Sequence, residues 1–232
     1  MGKADLKLAF CTARAANSAA KRWHYSGAIP VGKQVKLGVW EAERFVGCVT
    51  FGMGATHQAR MFELEAREVA ELTRVALARH DNPVSRIVRI ALKLLTDVNP
   101  LLRIIVSFAD PAHGHHGGIY QAGGWIYLGT SAPTVSYALG GKVYHNRSLS
   151  GGNFGGARVS KSEIARAKKI LNPGKHRYAI ALSRADRGIL EKMRKPYPSR
   201  VKPSIEVPAY QTGEGGAIPT HALQSSEVSH AS

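Results

Sequence analysis

Apolar side chains recur at Val84, Ile87, Val88, Ala91, Leu94 and Leu95, the spacing that lines one face of an α-helix. Asn82-Pro83 stands just ahead of them, an asparagine cap followed by proline at the first helical position, so the helix is predicted to start there. Thr12 can cap an earlier helix over about Ala13–Arg22, which must end before the breakers Gly27, Pro30 and Gly32. His24, Tyr25 and Ser26 therefore lie at a helix exit. Two β-rich runs, Lys36–Trp40 and Arg44–Phe51, flank the polar turn Glu41–Glu43 and predict a hairpin. Arg67–Leu77 predicts a third, longer strand. The apolar run Arg103–Phe108 predicts a short strand that enters a Gly- and His-rich loop, Ala109–Gly118. A short helix around Ile119–Ala122 and a strand over Trp125–Leu128 complete the pattern. Helix, hairpin, strand, helix, strand, helix, strand is the order of an α/β (α+β) domain, a mixed sheet with helices on its faces.

Composition narrows the picture. With 232 residues, 44% of them apolar, the chain can bury one substantial core and has no room for a second large domain. The formal charge of +16 makes nucleic acid the leading partner class. No apolar run approaches membrane-spanning length and no basic helix is strongly amphipathic, so no membrane association is expected. Asp5, Arg14 and Lys21 interrupt the N-terminal segment and Leu6 stands where a myristoylation signal needs Ser or Thr, which predicts a cytoplasmic protein. Cys11 and Cys48 have no CxxC spacing and read as core residues in a reducing compartment. Between Lys142 and Lys202 there are 16 Lys and Arg against Glu163, Asp186 and Glu191. The chain thus divides into a core, 1–140, a basic extension of the same domain, 141–202, suited to contacting nucleic acid, and a tail, 203–232, expected to be disordered. The oligomeric state is left open, a dimer included.

The strand, loop, helix and strand over Ile104–Gly129, closing on GIYQAGGWIYLG, resemble the C-terminal half of the GNAT acyltransferase fold, in which a tyrosine on a short helix precedes a glycine-aromatic pair. Here these are Tyr120, Gly124 and Trp125. The resemblance implies that Tyr120 acts as general acid toward a leaving group. The combined set RAANSAAKRWHYSG, ELTRVAL, NPVSRI, SFADPAHGHHGGIYQAGGW and GKHRY is more specific and resembles the Mom DNA-modification proteins of Mu-like bacteriophages, over about Arg14–Pro198. That resemblance implies conversion of adenine in DNA to an N6-carbamoylmethyl form that blocks host restriction. In place of a glycine-rich phosphate loop the chain has Ala78-Arg79-His80-Asp81-Asn82-Pro83-Val84-Ser85. Its helix N-terminus offers amides and Ser85 a hydroxyl, but Asp81 repels phosphate. The donor is left open between acetyl-CoA and a glycine-derived activated donor.

Adenine N6 is a weak nucleophile and is paired in a duplex, so the base must be extruded and stacked in a pocket. Trp23, Tyr25, Phe108 and Trp125 could supply the rings, although Phe108 and Trp125 read equally well as core. Proton transfer needs groups that titrate near neutrality, and His24, Asp110, His115 and His116 qualify by type; Tyr25, Tyr120 and Ser107 complete the candidate catalytic set. Asp110-Pro111 also reads as a simple Asx turn. His113, His115 and His116 with Asp110 have the residue types of a two-histidine, one-carboxylate Fe(II) site; the same histidines read as phosphate contacts. Glu71 and Arg74 are three apart, so on a regular strand only one faces a pocket, and Arg74 suits an anionic donor. Arg74, Arg79, Asn82, Ser85 and Glu71 form the candidate cofactor set. Lys175, His176, Arg177, Arg194, Lys195 and Trp23 form the candidate DNA contacts, with Tyr144, Phe154, Tyr178 and Tyr197 interleaved among the basic residues. An acyl-CoA-dependent acetyltransferase of a protein or small molecule, and a non-catalytic DNA-binding module, are the competing functions.

Overall fold

The computed structural model describes residues 5–139, 142–145 and 161–199. Residues Leu6–Phe10 form β1, a strand too short for alternation to announce it. The helix expected after Thr12 follows as α1 (Ala13–Trp23). The Thr12 side chain accepts the Ala15 amide, and Lys21 and Arg22 complement the negative end of the helix. The hairpin forms from β2 (Gln34–Glu41) and β3 (Arg44–Met53), turning through Ala42 and Glu43 at positive φ, as two-residue hairpin turns require. Then come α2 (Thr56–Met61), β4 (Val69–Leu77), α3 (Val84–Val98), β5 (Ile104–Ala109), α4 (Gly118–Ala122) and β6 (Ile126–Thr130). The remaining elements are β7 (Thr134–Leu139), β8 (Lys142–His145), α5 (Lys161–Arg166), β9 (Lys168–Asn172), β10 (His176–Ala181) and α6 (Arg184–Glu191).

Seven strands form one sheet in the order β1-β2-β3-β4-β5-β10-β6, and β8-β7-β9 form a second, smaller sheet. Every pairing in the large sheet is antiparallel except β4 with β5, which α3 connects. β10 lies between β5 and β6, so the basic stretch supplies an interior strand, with Tyr178 fully buried. Phe154 and the tail from Pro203 lie outside the described residues.

Alternation along β5 fills both faces of the sheet. Ile105 joins Ile87, Ala91 and Leu95 of α3 on one side; Ile104 and Val106 join Ala59 of α2 and Leu190 of α6 on the other. Ala16 and Ala19 let α1 approach Cys48 and Ala76 closely. Each fully buried Ile or Leu here contributes about 1.5–3 kcal/mol of transfer free energy, so the faces of α3 and β5 hold the sheet in place.

The expected Asn82 cap does not form. Pro83 occupies the cap position of α3 without a side-chain hydrogen bond, and the Asn82 side chain instead pairs with Glu41 and Arg86. β4 and β5 pair only from Val69–Ile104 to Leu72–Ser107. Beyond that point β4 continues against β3 and β5 against β10, so the two strands part. A cleft opens at their C-terminal ends, where ligands of open sheets usually bind.

Candidate active site

The cleft has a volume of about 440 Å³. β4 lines it with Glu71, Leu72, Thr73, Arg74 and Val75, and β5 with Phe108, Ala109 and Asp110. His24 and Tyr25 enter from the exit of α1, Tyr120 from α4, and Lys175 and Arg177 from the entry to β10. The expectation that only one of Glu71 and Arg74 faces the pocket is overturned. The β3–β4 register shifts between Thr50 and Phe51, leaving Thr73 as an extra residue on β4 and turning both side chains toward the cleft. The Arg74 guanidinium donates to the carbonyls of Ala28 (2.9 Å) and Thr73 (2.6 Å), which fixes the loop after α1 against the bulge. Burial lowers its pKa, with Tyr25 and Glu71 opposing the shift.

Where the strands part, Ser107 Oγ donates to the Leu72 carbonyl at 2.8 Å and lies 2.7 Å from Tyr120 Oη. A serine hydroxyl has one proton, which Ser107 can give to either oxygen, and Tyr120 Oη is placed to accept it. Ser107 is 1% exposed and is absent from the cleft lining. The structure therefore corrects its catalytic assignment: Ser107 positions Tyr120. Tyr120 packs between Trp125 (5.1 Å) and Tyr178 (5.2 Å). Trp125, 1% exposed, belongs to the core and is not a stacking surface for a base. Tyr178 Oη donates to the His116 carbonyl at 2.6 Å. That approach needs a residue without a side chain at Gly117, where φ is +86° and a Cβ would lie 2.3 Å from the Tyr178 ring. Tyr178 and Tyr197 pack on one another; Tyr178 is fully buried and so takes no part in a surface, while Tyr197 is exposed and donates to the Trp125 carbonyl at 2.7 Å.

At the cleft mouth the Tyr25 ring is sandwiched between His24 (4.4 Å) and His113 (4.2 Å), with His115 tilted against it at 5.4 Å. Tyr25 thus lies in a cluster of histidine rings at the cleft mouth, which leaves less of its ring open to an extruded base. Burial, reinforced by Arg74 and the neighbouring histidines, lowers the His24 pKa to about 3. Its Nδ1 accepts the Ser26 amide at 3.1 Å. The neutral ring therefore carries its proton on Nε2, and His24 is a hydrogen-bond donor rather than the proton acceptor expected. Burial raises the Tyr25 pKa and keeps its phenol protonated.

Asp110 Oδ2 pairs with Lys175 Nζ at 2.8 Å, and Oδ1 accepts the Ala112 amide at 3.1 Å. Burial pushes its pKa up, but the hydrogen bond and charge of Lys175 outweigh burial and hold it below the usual carboxylate range. An ionised, lysine-bound Asp110 is a poor base near neutrality, and the Asx-turn reading is realised beside the ion pair. The Fe(II) assignment to His115 and His116 with Asp110 is also corrected. Lys175 competes for the carboxylate and His113 stacks on Tyr25. Among the described residues no three His, Cys, Asp or Glu side chains converge to hold a metal ion.

The expected donor-phosphate cradle is filled from inside. The Glu41 carboxylate, 2% exposed, accepts the amides of Asp81 (2.8 Å) and Asn82 (2.7 Å) and the Asn82 side-chain amide (2.8 Å). Burial works to raise its pKa, and these hydrogen bonds reverse the shift and lower it. Arg79, Asn82 and Ser85 are absent from the cleft lining, and Arg79 meets Arg44 through its backbone carbonyl. Of the candidate cofactor residues only Glu71 and Arg74 reach the cleft. An anion placed against the Asp81 and Asn82 amides would meet this buried carboxylate. Glu41 carried no such signal in the sequence, where it reads as a turn residue.

The six candidate DNA contacts do not form one surface row. Lys175 and Arg177 line the cleft; His176 bonds to Tyr127 Oη (3.1 Å), and burial lowers its pKa. Arg194 is paired with Glu191 at 2.6 Å, Lys195 lies along Gly129, and Trp23 packs against Phe45 at 6.3 Å. No helix among the described residues is long and apolar enough to cross a membrane.

A model of the family described as the Mom protein family matches residues 5–199. The chain belongs to the Mom protein family. The match spans every residue of the cleft. The chain is also 27% identical over 208 residues to the methylcarbamoylase Mom of Escherichia phage Mu, covering 85% of each sequence. Among solved structures it is similar to an acetyltransferase from Thermus thermophilus (TM-score 0.41, 15% identity, 78% of this chain and 100% of that one). A spermidine N-acetyltransferase from Vibrio cholerae gives a TM-score of 0.45 at 11% identity, covering 78% of this chain and 98% of that one.

Proposed function

We propose that this chain is a DNA-modifying transferase that converts adenine in double-stranded DNA to an N6-carbamoylmethyl form, acting for a phage within the host cell and shielding its DNA from restriction. The observation that carries the reading is that the region shared with the Mom family contains the whole cleft, including His24, Arg74 and Tyr120 from three separate elements. A relative named methylcarbamoylase and a formal charge of +16 support a polyanionic substrate and a group-transfer reaction.

The cleft's residues suit attack by a weak amine nucleophile. His24, neutral with Nε2–H, and Arg74 offer hydrogen bonds to an oxygen that gains negative charge as the donor is attacked. Ser107 fixes the Tyr120 hydroxyl at the cleft floor, from which Tyr120 can give its proton to a leaving group. Phe108, half-buried on the cleft wall with the Arg177 guanidinium over one face, is a ring against which an extruded base could pack. The internal Glu41 carboxylate favours a donor that is not anchored by a pyrophosphate at the amides before α3.

The test is to express the chain with a plasmid in a bacterium, digest the plasmid to nucleosides and seek a deoxyadenosine bearing a glycinamide-sized addition by mass spectrometry. Tyr120→Phe and His24→Ala should lower its yield. Unmodified adenine from cells holding the folded protein refutes the reading.

A further inference from the structure

Three cations line the cleft, and their partners differ. Lys175 is paired with Asp110 at 2.8 Å, and Arg74 donates to two carbonyl oxygens while Glu71 lies close enough to affect its charge. Arg177 has neither kind of partner. Among the described residues no carboxylate lies within ion-pair distance of it, its Nε is buried without any acceptor, and its one hydrogen bond runs to the Met61 sulfur at 3.2 Å. The β10–β5 register sets Arg177 directly opposite Phe108, whose ring its guanidinium covers at 5.8 Å. The group is therefore held by packing on the wall of an open cleft, with its Nε–H unsatisfied and its Nη1 meeting only a thioether sulfur. Burying a guanidinium N–H without an oxygen acceptor is unfavourable, and a bound oxyanion would supply the missing partner. The other place for an anion, the amides before α3, is taken by Glu41.

We propose that Arg177 is the cleft's oxyanion receptor, binding a phosphate or carboxylate group that enters beside the Phe108 ring. Two sources share this chemistry: a backbone phosphate flanking the extruded nucleotide, or an acidic group of the donor. The first rests on the DNA-modifying function proposed above; the second does not.

Arg177→Gln and Arg177→Lys are compared with wild type and with Lys93→Gln, which removes one charge from the exposed surface of α3. One assay is fluorescence anisotropy of an adenine-containing duplex, with and without methylphosphonate linkages flanking the adenine. The other is thermal stabilisation by inorganic pyrophosphate. Arg177→Gln should lose about tenfold or more in one of them, since hydrogen bonds to charged groups are strong enough to produce that change. Lys93→Gln should lose little, and Arg177→Lys should recover part of the loss. A loss of duplex affinity that methylphosphonate substitution abolishes identifies a DNA phosphate. Loss of pyrophosphate stabilisation with duplex binding unchanged identifies a donor group. If wild type fails to bind the duplex while pyrophosphate stabilises it and not Arg177→Gln, the DNA reading fails and the subsite stands. Folded Arg177→Gln that matches wild type with both probes overturns the proposal.

Discussion

Replacing Glu41 by glutamine tests how the start of α3 is held. The carboxylate accepts three N–H groups, at 2.8, 2.7 and 2.8 Å, in a site only 2% exposed. Glutamine keeps one acceptor oxygen and turns an NH2 group toward a backbone amide, so at least one buried donor loses its partner. A lost hydrogen bond to a buried charged group costs about 1.5–3 kcal/mol, and the opposed donors add to this, giving a loss of about 3 kcal/mol. For a folded region of this size each kcal/mol corresponds to about 2–4 °C, so Tm should fall by roughly 6–12 °C. The sign with pH follows from the lowered pKa of Glu41. Its stabilisation is fully present above the unfolded value of about 4.3 and is lost as pH falls through the lower, folded value. The gap between wild type and Glu41→Gln should therefore be full at pH 7 and narrow in acid. Urea titrations at both pH values measure it. A Tm within about 2 °C of wild type, or a gap that does not change with pH, would refute the account of the carboxylate plug.

Gly117→Ala places a Cβ 2.3 Å from the Tyr178 ring at a φ of +86°, and should cost about 2–4 kcal/mol and alter the near-ultraviolet circular dichroism of the tyrosine cluster. Lys175→Met removes the charge that holds Asp110 ionised, so the Asp110 carboxyl should titrate at higher pH, followed by carbon-detected NMR; an unmoved titration would show that the pair is incidental. His24, with its pKa lowered by burial to about 3, should show the Nε2–H tautomer in nitrogen NMR down to pH 5. Its effect on stability is absent above its unfolded pKa of about 6.5 and grows as pH falls from there toward the folded value, because the unfolded ring binds a proton that the folded one refuses. His24→Gln should flatten that part of the stability–pH curve.

Local features of the chain were legible where side-chain periodicity and backbone chemistry act over a few residues. Thr12 capped its helix, the apolar stripe from Ile87 to Leu95 made α3, and the runs around Glu41–Glu43 made a hairpin. The cleft's membership was partly legible too, since the motifs carrying His24, Asp110 and Tyr120 could be read as a set. Their roles were not, because each depends on a partner distant in sequence. Asp110 became an ion pair through Lys175, 65 positions away, and Glu41 became a plug only because the hairpin end folds against the start of α3. The bulge at Thr73 turned two side chains one way on a strand whose sequence carries no mark of it. Sequence by itself determined α1, the β2–β3 hairpin, β4, α3, β5, α4 and β6, the excess of positive charge and the family. Tertiary structure decided which polar groups lost water and what replaced it, and that exchange sets the charge, tautomer and reach of every group in the cleft.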